Sequence, residues 1–424
     1  MIPYGHHWLD EEDIQAVVDV LRSNWITQGP KIEEFEKALA SYCGAKYAVA
    51  VSSGTAALHL ACLAAGIKTG DEVITSPITF VASANCVLYC GGRPVFADVQ
   101  PDTINIDPKK IKELLNPKTK AIIPVHFAGQ PYDLEKISDI AKEHNLIVIE
   151  DAAHALGAEY RIKETRIKGL KGQGLKKKEL KLNPKDNPDS LILNPEDNSK
   201  EEWVKVGSCC HSDMTVFSFH PVKSITTGEG GAILTNRKDL YEKLLMLRSH
   251  GITKNPKNFL NPYPLLLNPK DNPNPWYYEM QELGFNYRIT DFQCALGLSQ
   301  LSKLDSFIAR HREIAIIYNE AFKAIEGIKV LTERDYIKSA WHLYVVLVKN
   351  RKQVFKKLRE AGIFINVHYI PVYLQPYYRS LGYQEGLCPN AEDYYDQAIS
   401  LPMFPKITDE ELRYVIDKVK EAVV

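Results

Sequence analysis

The chain has 424 residues, of which 45% are hydrophobic, 10% aromatic and 25% charged. That composition excludes disorder, collagen and coiled coil as overall descriptions, and the length allows two or three domains. Lys and Arg number 52 against 53 Asp and Glu, a net charge of −1. Charge therefore gives the chain as a whole no reason to seek nucleic acid or an anionic membrane.

The opening MIPYGHHWLDEED lacks the basic-then-apolar order of a signal peptide, and the expected location is the cytoplasm. Residues 10–22 put Ile14, Val17, Val18 and Leu21 on one helical stripe, and 31–42 repeat the pattern. Short apolar runs follow at 47–53, 72–77, 94–99, 121–127 and 146–152, separated by helix-like segments at 56–65, 79–90, 108–116 and 133–144. Strands spaced by helices predict an α/β fold with a mostly parallel sheet and helices on both faces, which binds ligands at the carboxyl ends of its strands. Residues 47–67 and 73–92 carry no Asp, Glu, Lys or Arg and are long enough to cross a bilayer. Their many small and hydroxyl residues, such as Ser52, Ser53, Thr79 and Ser83, fit strand–turn–helix units of a buried core better.

Residues 161–205 interrupt the alternation. Nine Lys or Arg stand against two Asp or Glu between 161 and 182, and a Pro/Asn/Asp-rich stretch follows. LNPKDNP occurs at 182–188 and again at 267–273, with LNPEDN at 193–198. Such composition cannot build a core, so 161–205 and about 256–275 read as loop insertions. A nucleic-acid patch at 161–182 is the alternative, but the segment lacks interleaved aromatics. Strands resume at 213–219 and 230–235, followed by a helix at 238–248. A long helix at 291–322, a strand at 341–348 and helices at 351–361 and 408–422 predict a smaller α+β C-terminal domain, 250–424, after a large domain, 1–249. The eight cysteines show no CxxC spacing and read as reduced thiols. Cys209-Cys210-His211 has no second cluster with which to complete a zinc site, so no metal is expected.

Four segments at strand ends carry chemistry. Ser52-Ser53-Gly54-Thr55 runs from a strand into a helix, whose free amides suit a phosphate. Phe80, just past the next strand, either packs in the core or stacks on a planar ring. Asp151 closes LIVIED among apolar neighbours; it is either a helix cap or the partner of a cation such as a protonated pyridine. Lys223 sits alone in the Gly- and Thr-rich turn SFHPVKSITTGEGG, where removal from water would let its amine form a Schiff base. Phosphate turn, aromatic, aspartate and lysine together are the parts list for pyridoxal 5′-phosphate (PLP).

SSGTAALHL, SPITFVASAN, VIEDAAHALGA, VFSFHPVKSITTGEGGA and ELGFNYRITDFQCALGLSQL resemble the DegT/StrS family of nucleotide-sugar aminotransferases, fold-type I PLP enzymes. The resemblance spans nearly the whole chain outside the two insertions. It implies that Lys223 holds PLP, Asp151 pairs with the pyridine nitrogen, Phe80 covers the ring, and Gly54, Thr55 and Ser218 hold the phosphate. It also implies a homodimer with shared sites, in which Asn286 reaches the neighbour's phosphate, and places His154 beside the cofactor as a third catalytic residue. HPVKSITTGEGG, LRSHGITK, WYYEMQELGFNYR and VHYIPVYLQPYYR resemble the pseudaminic acid branch of the family. That branch implies transfer from L-glutamate to C4 of a UDP-linked 4-keto-6-deoxy-N-acetyl hexosamine, with substrate contacts from Tyr4, Asn24, Trp25, Ile26, Thr27, Trp341, His342, Leu343 and Tyr344. The rivals are another 4-keto- or 3-keto-sugar aminotransferase of the family, a non-catalytic regulator that keeps the fold, and a nucleic-acid binder through the basic insertion. Lys223 and Asp151, both intact, argue against the regulator.

Overall fold

The computed structural model describes residues 1–163, 201–260 and 276–423. Its centre is a seven-stranded sheet in the order β1-β9-β8-β5-β4-β2-β3. The strands are β1 (Tyr47–Val51), β2 (Glu72–Thr75), β3 (Arg93–Phe96), β4 (Thr119–Ile123), β5 (Ile147–Asp151), β8 (Met214–Ser218) and β9 (Gly231–Thr235). Only β9 runs against the others, pairing antiparallel with β1 and β8. Helices α2 (Pro30–Cys43), α3 (Gly54–Ala64), α4 (Ala82–Tyr89), α5 (Pro108–Leu114), α6 (Leu134–Glu143) and α7 (Lys238–Arg248) connect and cover it.

The sheet is buried on both faces because its strands from β1 across to β2 alternate between two apolar clusters. Ala48, Ala50, Phe217 and Leu234 face Phe35 and Leu39 of α2, Ile137 of α6 and Leu304 of α8 (Asp291–Phe322). Val49, Val51, Val216 and Ile233 face Leu58 and Leu60 of α3, Val87 of α4 and Leu244 of α7. A fully buried side chain such as Phe35 contributes about 1.5–3 kcal/mol. The two charge-free windows thus form β1–α3 and β2–α4. Among the described residues no helix is long and apolar enough to cross a membrane.

A three-stranded antiparallel sheet of β12 (Ile328–Val330), β14 (Tyr344–Val348) and β15 (Ala398–Leu401) forms with α9 (Arg351–Glu360) and α12 (Asp409–Val423) a second body. Its cluster includes Ile314, Tyr318 and Phe322 from the far half of α8. Another cluster unites Phe96 and Phe127 with Leu343, Val345 and Tyr373, so apolar packing runs unbroken between the two sheets.

Two expectations change. The segment 161–205 is not loop throughout: β6 (Glu159–Lys163) pairs with β7 (Glu201–Lys205), from Glu159 opposite Lys205 to Lys163 opposite Glu201. This edge ribbon escaped the pattern because ring–cation contacts hold much of it, with Trp203 lying 5.7 Å from Arg161 and 4.1 Å from Lys338. Residues 164–200 and 261–275, which hold the LNPKDNP repeats and most of the basic run, lie outside the described residues. The other change concerns α1 (Glu11–Arg22), whose stripe residues Ile14 and Leu21 are exposed. The helix docks on α8 through buried Asp13 instead, which accepts from Ser299 Oγ at 2.6 Å and Gln300 Nε2 at 2.7 Å and pairs with Lys303 at 3.1 Å.

Candidate active site

Six strands point the same way, so the carboxyl ends of β1, β2, β5 and β8 share one edge of the sheet. A cavity of about 620 Å³ opens there, lined by Gly54, Thr55, Phe80, Asp151, His154, Ser218, Lys223 and Tyr4. Gly54 and Lys223, 169 positions apart in the chain, therefore meet because the strands that lead to them are parallel, as α/β sheets dictate.

The anion end is the start of α3. Ser53 caps the helix, its Oγ accepting from Ala56 N at 3.0 Å and its carbonyl from Ala57 N at 3.0 Å. The amides of Gly54 and Thr55 are left for an anion at the positive helix end. Gly54 is required by close approach, since a Cβ there would lie 2.8 Å from Ser218 Cβ. This seat brings the Ser218 hydroxyl against the same turn.

Asp151, at the tip of β5, is 5% exposed. Its Oδ2 accepts from Ser83 Oγ at 2.5 Å and its Oδ1 from Ala153 N at 3.1 Å. Among the described residues no Lys or Arg forms a salt bridge with it. A buried carboxylate is costly, and a cationic ring nitrogen against it would offset that cost. Lys223 follows β8, its backbone amide donating to the His220 carbonyl at 2.8 Å. Burial pushes its amine down to about 8, against the upward pull of Asp151. His154 donates or accepts at Tyr369 Oη over 3.2 Å, and its ring centroid lies 4.3 Å from that of His342. Burial, and then the Lys223 charge, hold His154 and His342 well below the usual histidine range, and bring His368 to about 4. Three neutral imidazoles thus flank one amine.

The DegT/DnrJ/EryC1/StrS aminotransferase family model matches residues 7–420. The chain belongs to this family. It is 38% identical to the spore coat polysaccharide biosynthesis protein SpsC of Bacillus subtilis over 100% of this chain and 97% of that one. It is 36% identical to a Campylobacter jejuni UDP-4-amino-4,6-dideoxy-N-acetyl-beta-L-altrosamine transaminase, over 98% and 96%. Helicobacter pylori PseC, an aminotransferase involved in the biosynthesis of pseudoaminic acid, superposes with a TM-score of 0.81 at 32% identity over 100% and 99% of the two chains. The sugar aminotransferase Spr1654 of Streptococcus pneumoniae in its PMP form gives 0.82 at 30% identity over 100% of both. The protein is a transaminase of the sugar aminotransferase family, and its cofactor is PLP. The amine of lowered basicity, the buried carboxylate and the glycine-floored helix end fit that group.

The structure does not gather every residue that the resemblance singled out. Asn286 is exposed, pairs through its backbone with Ser249, and does not line the cavity of its own chain. Asn24 to Thr27 are exposed, Trp25 at 58% and Ile26 at 51%. Trp341 and Tyr344 lie in the apolar cluster of the second body, Tyr344 Oη donating to Asn319 Oδ1 at 2.7 Å, and Leu343 lies in the cluster between the sheets. His342 is the member of that stretch that reaches His154. Sequence reasoning missed Ser83, Tyr369 and His368. Ser83 was visible as a hydroxyl one helical turn beyond Thr79, whose Oγ1 lies 2.7 Å from its own. Tyr369 and His368 were within the quoted VHYIPVYLQPYYR string without being singled out.

Proposed function

We propose that the protein transfers the amino group of L-glutamate to C4 of a UDP-linked 4-keto-6-deoxy-N-acetyl hexosamine, forming UDP-4-amino-4,6-dideoxy-N-acetyl-β-L-altrosamine. The observation that carries the reading is one cavity holding a lysine amine of lowered basicity and a buried aspartate that no Lys or Arg of the described residues bridges. The Campylobacter relative and the PseC neighbour support the choice of sugar.

In this reading Lys223 would hold PLP, Asp151 would pair with its ring nitrogen, Phe80 would cover its ring, and Gly54, Thr55 and Ser218 would bind its phosphate. Bound there, PLP supplies an electron sink for the pair left when a C–H bond breaks next to nitrogen. Lys223 Nζ takes the proton from Cα of glutamate and, in the reverse half-reaction, delivers one to C4 of the sugar. An amine near pKa 8 can do both at neutral pH, whereas an ordinary lysine would stay protonated. Asp151 keeps a proton on the ring nitrogen by its charge. His154, neutral and tied to Tyr369, orients groups without adding a competing charge. Tyr4 lines the same cavity and His342 stands beside His154, and in this reading both face the sugar.

A homodimer with shared sites belongs to the proposal, Asn286 serving the neighbour's phosphate. Exposed Ile14, Leu21, Trp25, Ile26, Met280 and Leu283 are apolar surface suited to a second copy. All eight cysteines are free, which suits the cytoplasm. The test is incubation with PLP, L-glutamate and a panel of UDP-4-keto and UDP-3-keto sugars, with the products identified by NMR. Amination of the N-acetyl hexosamine at C4 is expected; amination confined to a pentose or to C3 would refute the choice of sugar.

A further inference from the structure

Beside the catalytic cavity lies a second hollow of about 440 Å³, and Tyr4 and Asn366 line both. The chain's first residues build the shared wall. Ile2 pairs with Ile363, its amide donating to the Gly362 carbonyl at 2.9 Å and its carbonyl accepting from Phe364 N at 2.8 Å. The stretch holding Tyr4 therefore runs beside the stretch holding Asn366. The Tyr4 carbonyl accepts from Met403 N at 2.9 Å, and Asn366 Oδ1 accepts from Val367 N at 2.8 Å, so both are held from behind. Helix α9 adds Phe355 and Arg359, one turn apart on one face. The Arg359 guanidinium lies over the Phe364 ring, 4.1 Å from its centroid. Among the described residues it has no ion pair and no side-chain hydrogen bond, and no Asp or Glu lines the hollow.

We propose that this hollow seats the nucleoside diphosphate of the sugar substrate: Arg359 holds the diphosphate, the rings of Phe355 and Phe364 wall the base, and the hexose passes between Tyr4 and Asn366 toward Lys223. The site rests on the nucleotide-sugar substrate proposed for this enzyme, though not on which hexose is aminated. Volume sets the division. The main cavity, about 620 Å³, has to take both PLP and the reacting hexose, so the nucleotide lies beyond it. The hollow's 440 Å³ falls within the usual range of about 300–1,000 Å³ for a small-molecule pocket. Chemistry then selects the occupant. A nucleoside diphosphate joins two negative phosphates to a flat base, and the hollow joins one unpaired guanidinium to two aromatic rings. Stacking on Phe364 fixes the guanidinium plane, while its N–H donors, which lie in that plane, remain available for phosphate oxygens. An arginine already bridged to a carboxylate would have to give up that partner first; Arg359 has none to give up.

The test uses the full-length holoenzyme, titrated by calorimetry with UDP, dTDP, GDP and uridine, each then used as an inhibitor of keto-sugar amination. Arg359→Ala should weaken UDP by about tenfold to a hundredfold, the loss of a charge-assisted contact, and raise KM for the keto sugar by a similar factor with kcat within about threefold. Uridine, which lacks phosphates, should bind parent and variant within about threefold. Arg359→Lys keeps the charge without the planar fork and should fall between the two. Phe364→Leu should weaken UDP and uridine together. If the parent prefers dTDP or GDP, the variants are read with that diphosphate. The glutamate half-reaction involves no nucleotide and reports whether each variant is folded and holds its cofactor. Unchanged diphosphate affinity in Arg359→Ala would overturn the site while leaving the nucleotide-sugar reading intact. A glutamate half-reaction that falls in step with diphosphate affinity would overturn it too, since Arg359 would then be supporting the fold. A parent that binds none of the three diphosphates would refute the nucleotide-sugar reading and the site together.

Discussion

Ser83 is the sharpest place to test how the carboxylate is set. Its hydroxyl donates to Asp151 Oδ2 at 2.5 Å, both residues are buried, and the Ala153 amide donates to the other oxygen of that carboxylate. A hydrogen bond to a charged group contributes about 1.5–3 kcal/mol, and it favours the ionised carboxyl alone. Ser83→Ala removes that preference. At 1.36 kcal/mol per factor of ten, kcat/KM of the glutamate half-reaction should fall by about tenfold to a hundredfold. Asp151→Asn, which removes the charge itself, should lose at least about a hundredfold. The assay is the glutamate half-reaction followed by cofactor absorbance, with cofactor occupancy checked in each variant. An unchanged kcat/KM in a Ser83→Ala enzyme that holds its cofactor would refute the idea that this hydroxyl sets Asp151.

Burial lowers Lys223 to about 8, so in cofactor-free protein its amine is protonated below that pH and nucleophilic above it. Acylation of Lys223 by an amine reagent, mapped by mass spectrometry, should rise through about pH 8, two units or more before surface lysines; a rise only near 10.5 would show an ordinary lysine. The ribbon β6–β7 places Lys163 opposite Glu201, so an Asn-Gly turn can join them in place of 164–200. That deletion should leave kcat within a few-fold, whereas cutting back to 162–204 also removes buried Ile162 and ring-stacked Trp203 and should lower the melting temperature by several degrees.

The central sheet was legible because parallel strands buried on both faces read as continuous apolar runs, and each of 47–53, 72–77, 94–99, 121–127 and 146–152 overlaps one of its strands. The cavity residues that end those strands were legible for the same reason: Gly54, Asp151 and Ser218 stand where an apolar run stops. Short strands with mixed composition were not. β7 has the sequence EEWVK and β15 has only Ala398–Leu401, so neither offers a run long enough to tell from a turn. Helix α1 misled because amphipathic periodicity says that a stripe will be covered without saying by what. The chain's own α8 takes the face bearing Asp13 and leaves Ile14 and Leu21 outside.

The second wall of the site was hidden for a different reason, since it depends on one backbone contact between distant parts of the chain. Gly129, just past β4, sits at φ +92°, and its carbonyl accepts from Ala340 N at 3.0 Å while the Ala128 carbonyl accepts from Leu343 N at 3.3 Å. Those two bonds clamp Trp341 and His342 against the turn. A Cβ at Gly129 would lie 2.8 Å from the His154 carbonyl and 2.9 Å from the His342 amide. That backbone conformation and that spacing both demand glycine. His154 and His342 can bring their tilted rings within 4.3 Å of each other because no side chain stands between their backbones. The pairing therefore rests on an unremarkable FAGQ turn, and no feature of the two histidines' own sequence neighbourhoods could have announced it.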